Sequence, residues 1–153
     1  MKKIQILILL VLCTLAGYAQ ITKNEDGVYF DENNTPYTGT YTEFYENGNK
    51  SIELSLKDGL KDGIITLYFE NGKVKEIRSY KSGEMHGKWE TFNEKGIKTA
   101  EANYSINKKD GAWFVWDDNG TKRYEMYYKE GNKTGKWIMW DETGKLISEK
   151  EYN

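Results

Sequence analysis

The sequence predicts an all-β protein, an elongated single-layer antiparallel β-meander built from five 24-residue β-hairpin repeats. Three observations carry this: a glycine grid with a fixed step, aromatic residues in register with it, and an acidic turn at one place in every unit. Glycine recurs at Gly39, Gly63, Gly87, Gly111 and Gly135, and again at Gly48, Gly72, Gly96, Gly120 and Gly144, both series stepping by 24 without insertion. A third series runs Gly59, Gly83, Asn107, Gly131. Asparagine is the side chain that best tolerates positive φ, so this position reads as left-handed backbone. A fixed, gapless period is the signature of a repeat architecture.

Each unit starts at a glycine of the first series. Two residues on stand Tyr41, Ile65, Trp89, Trp113 and Trp137, and five residues on stand Phe44, Tyr68, Phe92, Trp116 and Trp140. An acidic turn follows, as in Glu46-Asn47-Gly48 or Asp118-Asn119-Gly120, and Asn-Gly between aromatic or β-branched runs is the strongest short hairpin signal. A second run then ends at Leu56, Tyr80, Tyr104, Tyr128 or Tyr152, and a turn such as Lys57-Asp58-Gly59 leads to the next unit. Helix is excluded, since no 3.6-residue stripe survives and each interior glycine would cost about 1 kcal/mol. Residues three apart in a strand point to opposite faces, so Trp113 and Trp116 demand either aromatics on both faces or a bulge near the first glycine. The sequence leaves that choice open.

The repeats read as 39–62, 63–86, 87–110, 111–134 and 135–153, with 20–38 as an N-terminal capping half-hairpin that has the only proline, Pro36, at its margin. Charged Lys145, Glu149, Lys150 and Glu151 on the last strand discourage edge-to-edge aggregation. Residues 1–19 read as a bacterial secretory signal peptide: basic MKK, apolar IQILILLVL, and small Gly17 and Ala19 before a cleavage at Gln20. This predicts an exported protein, whether periplasmic, envelope-associated or secreted. The apolar run is short for a membrane span, and no later segment approaches one. Losing Lys2 and Lys3 leaves 20 bases against 24 acids, a net charge of −4, which argues against nucleic acid as a partner. The only cysteine, Cys13, falls within the signal, so the mature chain has no disulfide, thiol nucleophile or thiolate ligand. Leu12 before that cysteine argues against lipidation.

The repeated Tyr/Phe-x-Glu-Asn-Gly, at Phe44 to Gly48 and Tyr68 to Gly72, followed by Gly-Lys-Trp at Gly87 to Trp89 and Gly135 to Trp137, resembles the MORN-repeat variant. More closely, it is similar to the bacterial proteins grouped as the YwqK-family antitoxin type. The resemblance covers about residues 27 to 153 and implies an extended, twisted antiparallel sheet of hairpins. It also implies scaffolding, protein contacts and sometimes lipid association. The antitoxin label implies a neutralised partner protein.

Catalytic candidates are few. The single histidine, His86, occupies a position filled by Asp62, Asp110 and Thr134 in other units, which reads as turn chemistry and predicts no metal site. No nucleophile elbow, phosphate loop or dinucleotide fingerprint occurs. The acids Asp117-Asp118 lie in a repeated turn and lack the alternation of a calcium loop. The reading is therefore of a non-enzymatic protein without cofactor. The remaining candidates are aromatic: Trp89, Trp113, Trp116, Trp137 and Trp140, with Tyr104 and Tyr128, either form the core of a thin sheet or present a surface for a protein, a glycan or a lipid headgroup. The function predicted is a protein-binding or scaffold module of the bacterial envelope or exterior. The alternative is an antitoxin- or immunity-like protein that neutralises one partner.

Overall fold

A computed structural model describes residues 20–153, so the predicted signal peptide lies outside the described residues. The short strands β1 (Thr22–Lys23) and β2 (Tyr29–Phe30) form a hairpin of their own. The main sheet then runs through β3 (Gly39–Phe44), β4 (Lys50–Lys57), β5 (Leu60–Tyr68), β6 (Val74–Lys81), β7 (Glu84–Phe92) and β8 (Lys98–Ser105). It continues through β9 (Lys108–Lys109), β10 (Gly111–Trp116), β11 (Lys122–Lys129), β12 (Asn132–Trp140) and β13 (Leu146–Tyr152). Every pairing is antiparallel between chain neighbours, and β9 and β10 both pair with β8 as one interrupted strand. The result is an open meander.

Two turn chemistries alternate. The loops Asp58-Gly59, Ser82-Gly83, Ile106-Asn107 and Glu130-Gly131 have two residues, and all eight take positive φ, from 47° at Ile106 to 90° at Gly131. Loops of this mirror-image type match the right-handed twist of the strands they join. Asn107, at 61°, takes the left-handed conformation that its place in a glycine series implies. The Asn-Gly pairs belong to the other turn. There Gly48 N–H donates to the Tyr45 carbonyl and Tyr45 N–H to the Asn49 carbonyl, closing a three-residue loop in which only the glycine, at 83°, is left-handed. Later units add an Asx brace: the Oδ1 atoms of Asn93, Asp117 and Asp141 each accept two backbone N–H groups, as from Asn119 (2.9 Å) and Thr121 (3.0 Å) at Asp117.

A bulge lies beside the first glycine of the units. Between Arg78↔Trp89 and Tyr80↔Met85, Ser79 alone faces His86, Gly87 and Lys88, and Leu54↔Ile65 with Leu56↔Lys61 shows the same excess around Gly63. Gly87 combines φ of 91°, which favours glycine, with a tight site where a Cβ would come within 3.2 Å of Ser79 Cβ.

Neighbouring hairpins are stitched at both ends. Asn47 Nδ2 donates to the Glu70 carbonyl (2.9 Å), Lys73 Nζ to that of Glu94 (2.9 Å) and Asn93 Nδ2 to that of Asp118 (3.2 Å). At the other end, Gly83, Asn107 and Gly131 donate their N–H to the carbonyls of Lys61, Met85 and Lys109. Asp62 and Asp110 carboxylates accept the N–H of Ser82 and Glu130, whereas in the His86 unit the Asn107 side chain accepts Met85 N–H instead.

Among the described residues only Tyr29, Leu54, Leu56 and Ile65 form a buried hydrophobic core, with Ile21, Tyr37 and Tyr41 packed against it. The N-terminal segment thus lies over one sheet face across the first strands, seated by Tyr29 N–H to the Gly59 carbonyl and Gly59 N–H to the Tyr37 carbonyl, both 2.9 Å. Burying each large side chain there contributes about 1.5–3 kcal/mol. A Cβ on Gly59 would meet Val28 Cγ1 at 2.5 Å and the Tyr29 carbonyl at 2.8 Å. Gly59→Ala is therefore expected to dislodge this segment and destabilise by about 2–4 kcal/mol, whereas Gly96→Ala, with nothing within 4 Å, is expected to carry only the left-handed strain of about 1–2 kcal/mol. Urea unfolding compares the two, and amide exchange at Tyr29 reports the dislodged segment.

Candidate functional site

Cross-strand partners share a face and residues alternate along a strand, so the register sorts every side chain. One face carries Trp89 with its partners Arg78 and Ala102, Trp113 with Met126, Trp137 with Lys150, and the Tyr80, Tyr104, Tyr128 and Tyr152 series. These rings form one unbroken row. Centroids are 5.6 Å apart for Tyr80–Trp89, 4.8 Å for Trp89–Tyr104, 5.3 Å for Tyr104–Trp113 and 5.4 Å for Trp113–Tyr128. Tyr128–Trp137 and Trp137–Tyr152 follow at 5.2 and 5.0 Å. Tilted contacts of this kind add about 0.5–1.5 kcal/mol each beyond area burial.

The indoles also close the bulge. Trp89 Nε1 donates to the Ser79 carbonyl (3.1 Å), Trp113 Nε1 to that of Asn103 (3.0 Å) and Trp137 Nε1 to that of Tyr127 (3.0 Å). Each acceptor lies where the bulge interrupts the sheet ladder. Ile65, in the same place in its unit, has no such donor.

Cations lie on the rings. Lys109 Nζ sits 4.3 Å from the Trp113 centroid and 4.7 Å from that of Tyr128, and Lys133 Nζ sits 4.4 Å from Trp137 and 5.2 Å from Tyr152. Lys61 and Arg78 stand 5.1 Å over Tyr80 and Trp89. Such contacts are worth about 0.5–1 kcal/mol at exposed sites. Burial raises the phenol pKa values of Tyr104 and Tyr128. A shallow depression of about 270 Å³ opens at the far end among Tyr124, Met126, Trp137, Met139, Lys150 and Tyr152.

Trp116 and Trp140 fall on the opposite face, with Phe114 5.8 Å from Trp116 and Lys122 over both Phe114 (4.8 Å) and Trp140 (5.6 Å). Both options left open by the sequence are thus realised: aromatics occupy both faces, and a bulge lies at the first glycine. The seven aromatic candidates do not make one patch. Trp89, Tyr104, Trp113, Tyr128 and Trp137 are brought together, half-buried, and Trp116 and Trp140 are not among them. The second face neutralises itself: Lys98 pairs with Glu90 and Glu101 (the latter at 2.9 Å), Lys88 with Glu101 (3.2 Å), Lys122 with Glu125 (3.0 Å) and Lys136 with Glu149 (3.2 Å).

The acids serve the fold. Backbone N–H groups of Thr121 and Asn119, with Arg123, hold the Asp117 carboxyl below its ordinary range. Asp110 is lowered by the Glu130 N–H and Lys129. A carboxylate held ionised by turn amides is a poor general acid. Among the described residues no group of three His, Cys, Asp or Glu is placed to hold a metal ion, and no helix is long and apolar enough to cross a membrane.

The model of the family described as MORN repeat variant matches residues 37–58, 61–82, 109–130 and 133–153. Each span holds one hairpin of the meander, and together they cover more than half of the chain. The hairpin β7–β8 lies between matched spans, with the same register but with Asn107 in place of the turn glycine. No curated protein matches the chain.

Two outcomes are expected. Trp113→Phe keeps a ring but removes one of the two donors to the Asn103 carbonyl, leaving Asp110 N–H, so it should cost about 0.5–1.5 kcal/mol, whereas Trp116→Phe, whose indole makes no such bond among the described residues, should cost less. Thermal unfolding separates them. Glu101 is pushed up by burial, but Lys98 and Lys88 outweigh this and leave its pKa lowered, and the Tyr127 hydroxyl lowers that of Glu125 despite burial. A depressed folded value means the stabilisation is complete above the unfolded carboxylate value, about 4.3, and is lost as pH falls through the folded value. Stability should hold from neutrality to about pH 5 and decline below that, and Glu101→Gln should shallow the decline, as read from urea midpoints between about pH 3 and 7.

Proposed function

Because the chain belongs to the MORN repeat variant family, whose repeats are generally protein- or membrane-binding modules, we propose that it is an exported, non-enzymatic repeat protein that binds a protein partner as a scaffold in the bacterial envelope or outside the cell. The observation that carries this is the row from Tyr80 to Tyr152: seven aromatic rings, half-buried, on a face of an open sheet. Aromatic side chains supply large, stiff contact area, and such residues dominate the energetics of protein interfaces. Tyr124, beside this row, is 40% exposed, and Met126 and Met139 give the neighbouring surface an adaptable apolar lining. The carboxylates already engaged by turn amides and lysines support a binding rather than a catalytic role. The apolar leader with its Gly17-Tyr18-Ala19 boundary supports export.

Fractionation of cells producing the full chain should recover a product shortened by its leader in the envelope or medium, and an uncleaved cytoplasmic product would contradict export. A photo-crosslinking residue placed at Tyr124 should give discrete adducts with envelope components. One stoichiometric toxic partner would instead mark a neutralising protein.

A further inference from the structure

The two faces of the sheet differ in charge as sharply as in shape. On the Trp116 face, Lys88, Lys98, Lys122 and Lys136 each have a carboxylate partner. On the Trp113 face, Lys109, Lys133 and Lys150 have none within ion-pair distance among the described residues, and lie instead over Trp113, Trp137 and Tyr152. From β7 onward, the register places no carboxylate at any strand position of that face. An open surface of aromatic rings and unpaired ammonium groups complements a ligand that is both anionic and aromatic.

The chain itself lays an acidic, aromatic segment on this face, seated by its apolar side chains while its carboxylates form no ion pair among the described residues. Across the first strands the same face is covered by the segment 20–38, which seats Tyr29 5.8 Å from Tyr41, with Ile21 and Tyr29 against the core of Leu54 and Ile65. This segment carries Glu25, Asp26, Asp31 and Glu32 against a single base, Lys23. It binds through one buried ring and a few backbone hydrogen bonds at a two-residue turn, and Leu54 and Ile65 beneath it are each only 1% exposed. From Trp89 to Tyr152 nothing covers the face among the described residues, although the same turns and row continue there.

We propose that the open stretch of this face, from Trp89 to Tyr152, docks an extended acidic polypeptide segment carrying a tyrosine or phenylalanine, the chemistry of the chain's own residues 20–38. The ring of such a segment packs beside Trp113 or Trp137, and its carboxylates meet Lys109, Lys133 and Lys150. This rests on the protein-binding role proposed above and names the partner's chemistry.

The test is fluorescence polarisation of a labelled synthetic peptide of residues 20–38 against the full chain. Saturable binding is expected, weakened about ten-fold or more by Lys109→Glu with Lys133→Glu, which turns two attractive contacts repulsive, and weakened by raising salt, which screens exposed charges. Replacing the peptide's Tyr29 by Ala should weaken it similarly. Lys136→Glu, on the other face, should change nothing. Lys133 is exposed and Lys109 half-buried, and replacing them removes ring contacts but leaves no carboxylate unpaired among the described residues; thermal unfolding confirms that the double variant stays folded. Absence of saturable binding overturns the inference, and so does binding indifferent to Lys109→Glu with Lys133→Glu. Displacement of the peptide by phosphatidylglycerol vesicles or single-stranded DNA at equal charge also overturns it, marking a general polyanion surface. The crosslinks at Tyr124 are scored separately: adducts that survive the double lysine variant keep a protein partner while rejecting its acidic character.

Discussion

A sheet one layer thick can hide little from water, so each hairpin must be stabilised by the next. The constraint that follows is local: wherever the ladder between hairpins is broken, its polar groups need partners. Here the break is the bulge beside Gly63 and Gly87 and its counterparts, and the partner in later units is an indole N–H. Trp89, Trp113 and Trp137 thus do two things at once. Their nitrogens restore the ladder and their rings bridge the tyrosines of adjacent hairpins. The aromatic row, the glycine at the bulge and the step of the repeat all depend on this one arrangement.

The first units solve the same problem differently. Tyr41 and Ile65 stand where later units have tryptophan, and Leu56 stands where they have tyrosine. Smaller side chains leave room above the sheet, and the segment 20–38 fills it, so the buried core is confined to that end. Moving along the chain, a covered aliphatic surface becomes an uncovered aromatic one. Ring stacking, cation–π contacts and indole hydrogen bonds take over from burial in proportion. The surface that remains open is therefore a consequence of how the later hairpins hold together.

Much of this was legible in the sequence, because a period is a property of the chain itself. The glycine grid located both turns of each unit, and the asparagine at 107 announced a left-handed residue. Face assignment was not legible. It depends on how many extra residues the bulge admits, and Gly87 alone does not say whether one or two strand partners are skipped. Hence five of the seven aromatic candidates stand together while Trp116 and Trp140 stand apart. The charge pattern was hidden for the same reason. Lysines at 98, 109, 122 and 133 look alike in sequence, yet the register places two over carboxylates and two over bare rings. The indole-to-carbonyl bond could have been suspected from the constant ten-residue separation of Trp89 from Ser79 and Trp113 from Asn103, but only once a bulge was known to free those carbonyls.

Structural and binding roles for the tryptophans are often set against each other, and this geometry removes the opposition. An indole donates through one edge, and that edge is committed to the sheet at Trp89, Trp113 and Trp137. Its remaining perimeter is half-exposed and cannot be withdrawn without breaking the ladder. A surface held in place by the fold carries little ordering cost when a partner arrives, which is what a repeat module with stiff rings offers. It also means that removing a tryptophan perturbs fold and surface together. The lysines resting on the row carry less of that double duty: they contribute ring contacts, but among the described residues none of Lys109, Lys133 or Lys150 neutralises a carboxylate across the sheet. Charge, rather than the aromatic ring, is therefore the handle by which recognition on this face separates from architecture.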